Sequence, residues 1–301
     1  MMADIPVCLF LYKRYEVLDE QLDMLWKNDE IDNVVLFIFC DGPKKESDLN
    51  AVENVRSIIN RRMHDCPCKE VHVECSEVNK GLSDSVISGV NKVLNIYDSV
   101  IVIEDDLALD FDFLSYMKTQ LYLYKDDKKI FSVGGYYNNK IVVNDCEENT
   151  FFSPYFECWG WGIWKDRWNS IVWDKQYYIN ISKNFRDMFR IYFKARDNYL
   201  IFKLYLRGEV DSWAIRVAIT ELLDGCYTVI PLKSKVENHG NDGNGTNCGA
   251  VDKNINKKVK VKGCKYSKLS KNIIRYHKHS GNKMISDRLL FCFLHSRLFR
   301  R

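Results

Sequence analysis

Three consecutive carboxylates, Glu104-Asp105-Asp106, directly follow four apolar β-branched residues, Val100-Ile101-Val102-Ile103. Adjacent acids repel one another, and a chain gathers them at the carboxyl end of a buried strand chiefly where a divalent cation will sit. In open α/β sheets that edge is also where ligands bind. A solvated acidic turn is the plainer alternative. Other residues of useful chemistry stand at breaks in the apolar pattern. Asp41 closes the run Val34–Cys40, Lys80 sits in the breaker Asn79-Lys80-Gly81, and Glu209 and Asp211 precede Ser212-Trp213. His239 lies in a glycine-rich loop, where it is either solvated or a ligand. Between Phe151 and Trp164, glycines alternate with tryptophans (Trp159-Gly160-Trp161-Gly162-Ile163-Trp164). Indole faces suit sugar rings or bases, and they suit an aromatic core equally.

These residues need elements to position them. Apolar runs at Ile5–Tyr12, Val34–Cys40, Glu70–Cys75 and Val100–Ile103 read as strands. Helical spacing marks Glu16–Trp26, Asp48–Met63 and the stretch from Leu82 to Leu94, where Val86, Val90 and Val93 share a face. Strand and helix thus alternate four times in about 105 residues, which predicts a doubly wound, mostly parallel sheet. Its ligand edge would bring together Asp41, the Lys80 turn and the acid loop. Phe111–Tyr124 reads as a helix, Ile130–Val133 as a strand, and Tyr227–Leu232 as another. A helix should open near Trp213, with Ser212 or Asp211 as its cap. Residues Asp174–Asn198 are aromatic and basic without a clean period.

Composition fixes the class of protein. At 301 residues and 46% hydrophobic content, the chain can bury a full core. No apolar run approaches the ~18 residues needed to span a bilayer, and the start has no signal-peptide pattern, so the expected location is cytoplasmic. Eleven cysteines, an odd number scattered through apolar segments, read as reduced thiols and not a disulfide framework. From Lys253 to Arg301 there are 15 Lys and Arg against one acid, so this tail carries +14 and residues 1–252 carry −11 of the total +3. The expected organisation is a catalytic domain over 1–250, with a nucleotide-sugar half near 1–110 and an acceptor half near 111–250, and a basic tail over 251–301.

Several blocks together carry a resemblance. Asn79-Lys80-Gly81-Leu82, Ser85 to Asn91, Ile103-Glu104-Asp105-Asp106-Leu107, Asp110-Phe111, Gly160-Trp161, Asp211-Ser212-Trp213 and His239-Gly240 make the chain similar to GT-A-fold glycosyltransferases. More narrowly, it resembles family 2-like bacterial enzymes and the N-acetylglucosaminyltransferase I family, across roughly residues 5–245. The resemblance implies a GT-A α/β fold and a metal-dependent, inverting transfer from a nucleotide-sugar, UDP-linked above all, to a hydroxyl of a saccharide or lipid-linked saccharide. It also implies a setting in bacterial surface-glycan assembly. Residue by residue, Asp106 would coordinate Mn²⁺ or Mg²⁺, Asp105 would approach the ribose, and Glu104 the transferred sugar. Asp41 and Lys80 would meet the base, ribose or phosphate, Trp161 would line the donor site, and His239 would be a second metal ligand or phosphate contact. Inversion needs one proton acceptor; Asp211 takes that role, with Glu209 and Glu157 as alternatives.

Other readings remain. A nucleotidyltransferase would share the sheet and the strand-end acids, but it would want a glycine-rich phosphate loop, and residues 5–20 contain no glycine. A non-catalytic carbohydrate-binding protein would use only the tryptophans. His64, Cys66, Cys68, His72 and Cys75 are types that bind zinc, although Cys-Pro-Cys is an unusual spacing and His72 falls on an expected buried strand. In the tail, Ile285, Leu289, Leu290, Phe291 and Phe293 stand among Arg288, Arg297, Arg300 and Arg301. That mix suits the boundary of an anionic membrane, peripheral at its inner face, or a packing helix, and nucleic acid is not expected.

Overall fold

In the computed structural model Val7, Leu9 and Leu11 are buried on one side of the first strand, β1 (Ile5–Leu11), and Cys8 and Phe10 on the other. A strand buried on both faces needs a layer of helix over each. The chain supplies both. Described are residues 4–137, 141–144, 150–239 and 259–262. After β1 come α1 (Tyr15–Trp26), β2 (Val34–Cys40), α2 (Leu49–Arg62), β3 (Glu70–Cys75), α3 (Leu82–Leu94) and β4 (Ser99–Glu104). These bounds fall within two residues of those the spacing predicts. There follow β5 (Leu107–Leu109), α4 (Phe113–Leu123), β6 (Ile130–Gly134), β7 (Ile141–Asn144), β8 (Thr150–Ser153) and β9 (Trp161–Trp164). Helices α5 (Lys165–Trp168), α6 (Lys175–Lys183), α7 (Phe185–Lys194), α8 (Arg196–Arg207) and α9 (Trp213–Asp224) lead to β10 (Tyr227–Pro231), β11 (Val236–Asn238) and β12 (Val259–Lys262).

The central sheet runs β3-β2-β1-β4-β9-β6-β10-β8. The first four strands are parallel, β9 is antiparallel to β4 and β6, β10 is parallel to β6, and β8 is antiparallel to β10. The sheet is therefore mixed and mostly parallel. Leu18, Leu22 and Leu25 of α1, Val55 and Ile59 of α2, and Phe113 and Met117 of α4 cover one face. Val86, Val90 and Val93 of α3 and Trp213 and Val217 of α9 cover the other. Because β1 lies between β2 and β4, the chain winds away from it in both directions, and the carboxyl ends of β1 and β4 mark the switch point of the sheet. The acid loop leaves the sheet there.

Two expectations change. Trp161 is fully buried, stacked with Trp168 and Trp213 at 5.8 and 5.0 Å between ring centroids. It is a core residue with no face left for a donor, because antiparallel pairing of β9 between β4 and β6 turns it toward the face that α3 and α9 cover. The strand bearing His72 is also not buried. β3 is the sheet's edge, and His72 is half-exposed, lying against Phe37 with its ring bonded to Glu70. Among the described residues no three of His, Cys, Asp and Glu form a group that could hold a metal, the His64–Cys75 set and the acid loop included.

The fold buries one carboxylate outright. Glu221 of α9 is 0% exposed and accepts from the Thr228 hydroxyl at 2.9 Å, with Ser132 bonded to the same hydroxyl at 2.7 Å. Burial pushes Glu221 up to about 8, the Thr228 hydroxyl opposes this, and the charge of Glu157 adds to it. The folded protein therefore keeps a proton that the unfolded chain releases above a carboxylate's ordinary value, and this contribution to stability is lost as pH rises from about 4.5 to about 8. Melting temperature without metal should fall across that window, and Glu221→Gln should reduce the slope. Parallel melting curves for the two proteins would refute this account.

Candidate active site

The acid loop is held from three sides. Gln21, a buried polar residue of α1, donates its amide to the carbonyls of Glu104 and Leu107 at 2.6 and 3.2 Å. The backbone N–H of Tyr12, just past β1, donates to Asp105 Oδ2 at 3.0 Å, and Arg14 Nε lies 3.9 Å from Oδ1. On the third side β11 pairs antiparallel with β5, matching Asn238 with Leu107. Asn238 Nδ2 donates to Asp106 Oδ2 at 3.2 Å and the His239 N–H to the Asp106 carbonyl at 2.8 Å. The structure thus joins Asp106 and His239, 133 positions apart in sequence. The His239 ring is half-exposed, 3.8 Å from Glu237.

Electrostatics single out the same loop. Burial pushes Glu104 up to about 8, with Asp106 and Asp105 adding repulsion. Burial likewise pushes Asp105 up to about 6, partly offset by the Tyr12 N–H and by Arg14. Crowded, half-desolvated carboxylates of this kind are relieved by a cation. Carboxylate oxygen of the kind Asp106 offers is the donor type a hard divalent ion takes. Glu157 adds a further carboxylate, half-buried and pushed up to about 8 by burial alone. It stands over Gly134 at the end of β6, and both Glu104 and Asp106 act on the neighbouring Cys158. Here the backbones of two loops touch. Gly135 N–H donates to the Gly160 carbonyl at 2.6 Å, and a Cβ on Gly135 would lie 2.7 Å from that oxygen.

Asp41 is brought to the same edge, but its acceptor capacity is taken. Oδ1 accepts from the N–H groups of Gly42 and Lys80 at 2.9 and 2.8 Å, and Oδ2 from the Asn79 amide and the Gly81 N–H at 3.0 and 2.9 Å. A carboxylate has about four acceptor positions. All are filled from within the chain, so Asp41 builds the 79–81 turn instead of meeting the base or ribose itself. That turn presents Lys80 to a cleft lined by Phe39, Cys40, Asp41, Glu74, Ser85 and Ser88, with Lys80 Nζ 3.6 Å from Glu74.

Asp211 and Glu209 lie on the loop between α8 and α9. The Ser212 side chain accepts the Ile215 N–H, which makes Ser212 the cap and frees Asp211 from that task. The side chain of Asp211 is 73% exposed and 3.3 Å from Arg216 Nη2. Arg216 is buried and reaches Ser83 at the start of α3 and the Trp173 carbonyl, so it ties the Asp211 loop to α3. Glu209 is 51% exposed and paired with Arg207 at 2.9 Å. Sequence reasoning missed Gln21, Asn238 and Arg216; the last was visible only as a cation five residues after Asp211.

Residues 90–187, which contain the acid loop, Glu157 and the tryptophan run, match the model of a family described as the GNT-I family. No curated protein sequence matches the chain. Among solved structures, the chain is similar to a mannosyltransferase of Pyrobaculum calidifontis, PcManGT, solved with GDP-Man and Mn²⁺. That pair shares 11% identity over 73% of this chain and 68% of the other, at a TM-score of 0.44. It is also similar to TarS of S. aureus, at 9% identity over 77% of this chain and 36% of that one, with a TM-score of 0.46. Sheet, acid loop and family match together make the chain similar to GT-A-type glycosyltransferases. Within that class the chain is similar to the GNT-I family.

Proposed function

We propose that this protein transfers a sugar from a nucleotide-sugar to a saccharide hydroxyl in a metal-dependent, inverting reaction. The observation that carries the proposal is the loop Glu104–Asp106, whose desolvated acids lie at the switch point of the sheet with Asn238 and His239 brought against Asp106. Asp106, with His239 beside it, would hold Mn²⁺ or Mg²⁺, and the bound ion would neutralise the donor's diphosphate as the sugar leaves. Asp105, fixed by the Tyr12 N–H, faces the ribose, and Glu104 the hydroxyls of the transferred sugar. Lys80, set by the Asp41 turn, meets the phosphate or base of a donor, UDP-linked in the first instance. Asp211, steadied by Arg216, takes the acceptor's proton. The acceptor is a saccharide, lipid-linked in bacterial surface-glycan assembly. The basic tail, of which residues 259–262 alone are described, brings the enzyme to an anionic membrane surface. No helix among the described residues is long and apolar enough to cross one.

A thermal-shift screen tests the donor half of this reading, because a ligand that binds only the folded state raises its melting temperature. UDP or GDP should stabilise the protein with Mn²⁺ and much less with EDTA. Equal shifts with and without the ion would overturn the metal-dependent reading.

A further inference from the structure

Two thiols that the proposed chemistry does not use stand side by side in the sheet. Cys40 closes β2, Cys75 closes the edge strand β3, and the parallel register makes them direct partners. Neighbouring strands lie about 4.7–4.9 Å apart, and residues paired in register point to the same face. A disulfide joins Cα atoms about 4.4–6.8 Å apart whose Cβ atoms do not diverge, so the pair meets both requirements. Just past it, the Ser76 N–H donates to the Cys40 carbonyl at 2.9 Å and fastens the two strand ends together. Both thiols are free, Cys40 buried and Cys75 exposed. Arg56 of α2 donates to the Ser76 carbonyl at 2.7 Å, and its buried Nε meets no hydrogen-bond acceptor among the described residues. Contact with Cys40 draws the Cys75 thiol down to about 6, and Arg56 adds to this against burial and the charges of Glu53 and Glu77. Contact with Cys75 and burial push Cys40 up. The ready thiolate of the pair is therefore the exposed one.

We propose that Cys40 and Cys75 form a thiol–disulfide exchange site, in which Cys75 attacks a small-molecule disulfide and Cys40 resolves the product into an internal disulfide. In the first step the Cys75 thiolate bonds to one sulfur of the small disulfide, whose S–S bond breaks and releases one small thiolate. In the second, Cys40 gives up its proton and attacks the Cys75 sulfur, which releases the second small thiolate. The two protein thiols are oxidised by two electrons, the small disulfide is reduced to two thiols, and the two protein protons end on those thiols. Exposure fixes the order, because Cys75 meets solvent and Cys40 is reached only through it. The inference stands apart from the glycosyltransferase reading and survives its failure.

Equilibration of the reduced full chain with oxidised glutathione tests it, followed by alkylation of the remaining thiols in denaturant, trypsin and mass spectrometry. Cleavage after lysine and arginine leaves Cys40 alone on the peptide 28–44, Cys75 alone on 70–80, and Cys66 with Cys68 on 63–69. Most of the 70–80 peptide should be found linked to 28–44, and a reductant should part them. Cys40→Ala should instead hold Cys75 as its mixed disulfide with glutathione, raised about tenfold or more over wild type, because a neighbouring thiol outpaces a dissolved one. If Cys40→Ala melts lower, Cys75→Ala at the exposed position decides the question: the link should vanish and Cys40 should remain a free thiol. Three results overturn the proposal: glutathione that stays on Cys75 in the wild type, Cys75 joined to a cysteine other than Cys40, or Cys40 taking up glutathione in Cys75→Ala.

Discussion

Asp106→Asn should abolish turnover and leave the fold intact. The substitution keeps the shape of the side chain and an oxygen for the Asn238 amide, now 3.2 Å away. It removes the negative charge that a divalent ion would need. Losing a charged ligand costs several kcal/mol of transition-state stabilisation, and about 1.4 kcal/mol is already tenfold, so a fall of about 10³-fold is expected. The same change relieves the loop. Glu104 is pushed up to about 8 by burial and by its two acidic neighbours, so removing one of them lets the metal-free protein melt no lower than wild type. The stabilisation by UDP with Mn²⁺ should disappear with the activity. Retention of more than about a tenth of wild-type turnover at saturating Mn²⁺ would remove Asp106 from the metal site, since that residual corresponds to less than about 1.4 kcal/mol.

The parallel half of the sheet was legible because β1, β2 and β4 are apolar runs and the edge strand β3 alternates, each set between helices of clear period. Val34–Cys40 and Glu70–Cys75 are placed to the residue. The far half was harder for a physical reason. Residues 174–198 showed no single period because α6, α7 and the start of α8 meet there, and the breaks at Asn184 and Ala195 restart the helical phase. Trp161 was misread because a tryptophan beside glycines suits a ligand platform and a core equally, and only the pairing of β9 between β4 and β6 decides. Asp41 was placed at the right edge, but its hydrogen bonds to Gly42, Lys80 and Gly81 depend on backbone direction, which residue type does not encode. The approach of His239 to Asp106 depends on the short pairing of β11 with β5, a contact far apart in sequence and three residues long. Met284–Arg301, read as a membrane or packing helix, lies outside the described residues.

Asp211→Asn should lower turnover by ~10²–10⁴-fold with donor binding nearly unchanged, the signature of a lost proton acceptor. The amide preserves the contact with Arg216 and leaves the Ser212 cap untouched, so a structural cause is excluded by an unchanged melting temperature. Two other carboxylates compete for the role and differ in what they would show. Glu209 is paired with Arg207 and points into solvent, so Glu209→Gln should stay within about twofold of wild type, as a surface pair contributes little. Glu157 is the stronger rival, because burial pushes it up to about 8 and the neighbouring Cys158 feels the charges of Glu104 and Asp106. An acceptor at Glu157 must first lose its proton, so the rate would climb as pH rises through about 8, and Glu157→Gln would flatten that climb. Asp211 is exposed, and the buried guanidinium it contacts also reaches Ser83 at the start of α3. Should Glu157→Gln collapse turnover and the pH limb together while Asp211→Asn keeps both, the proton acceptor is Glu157, and Asp211 serves only to hold Arg216 in place.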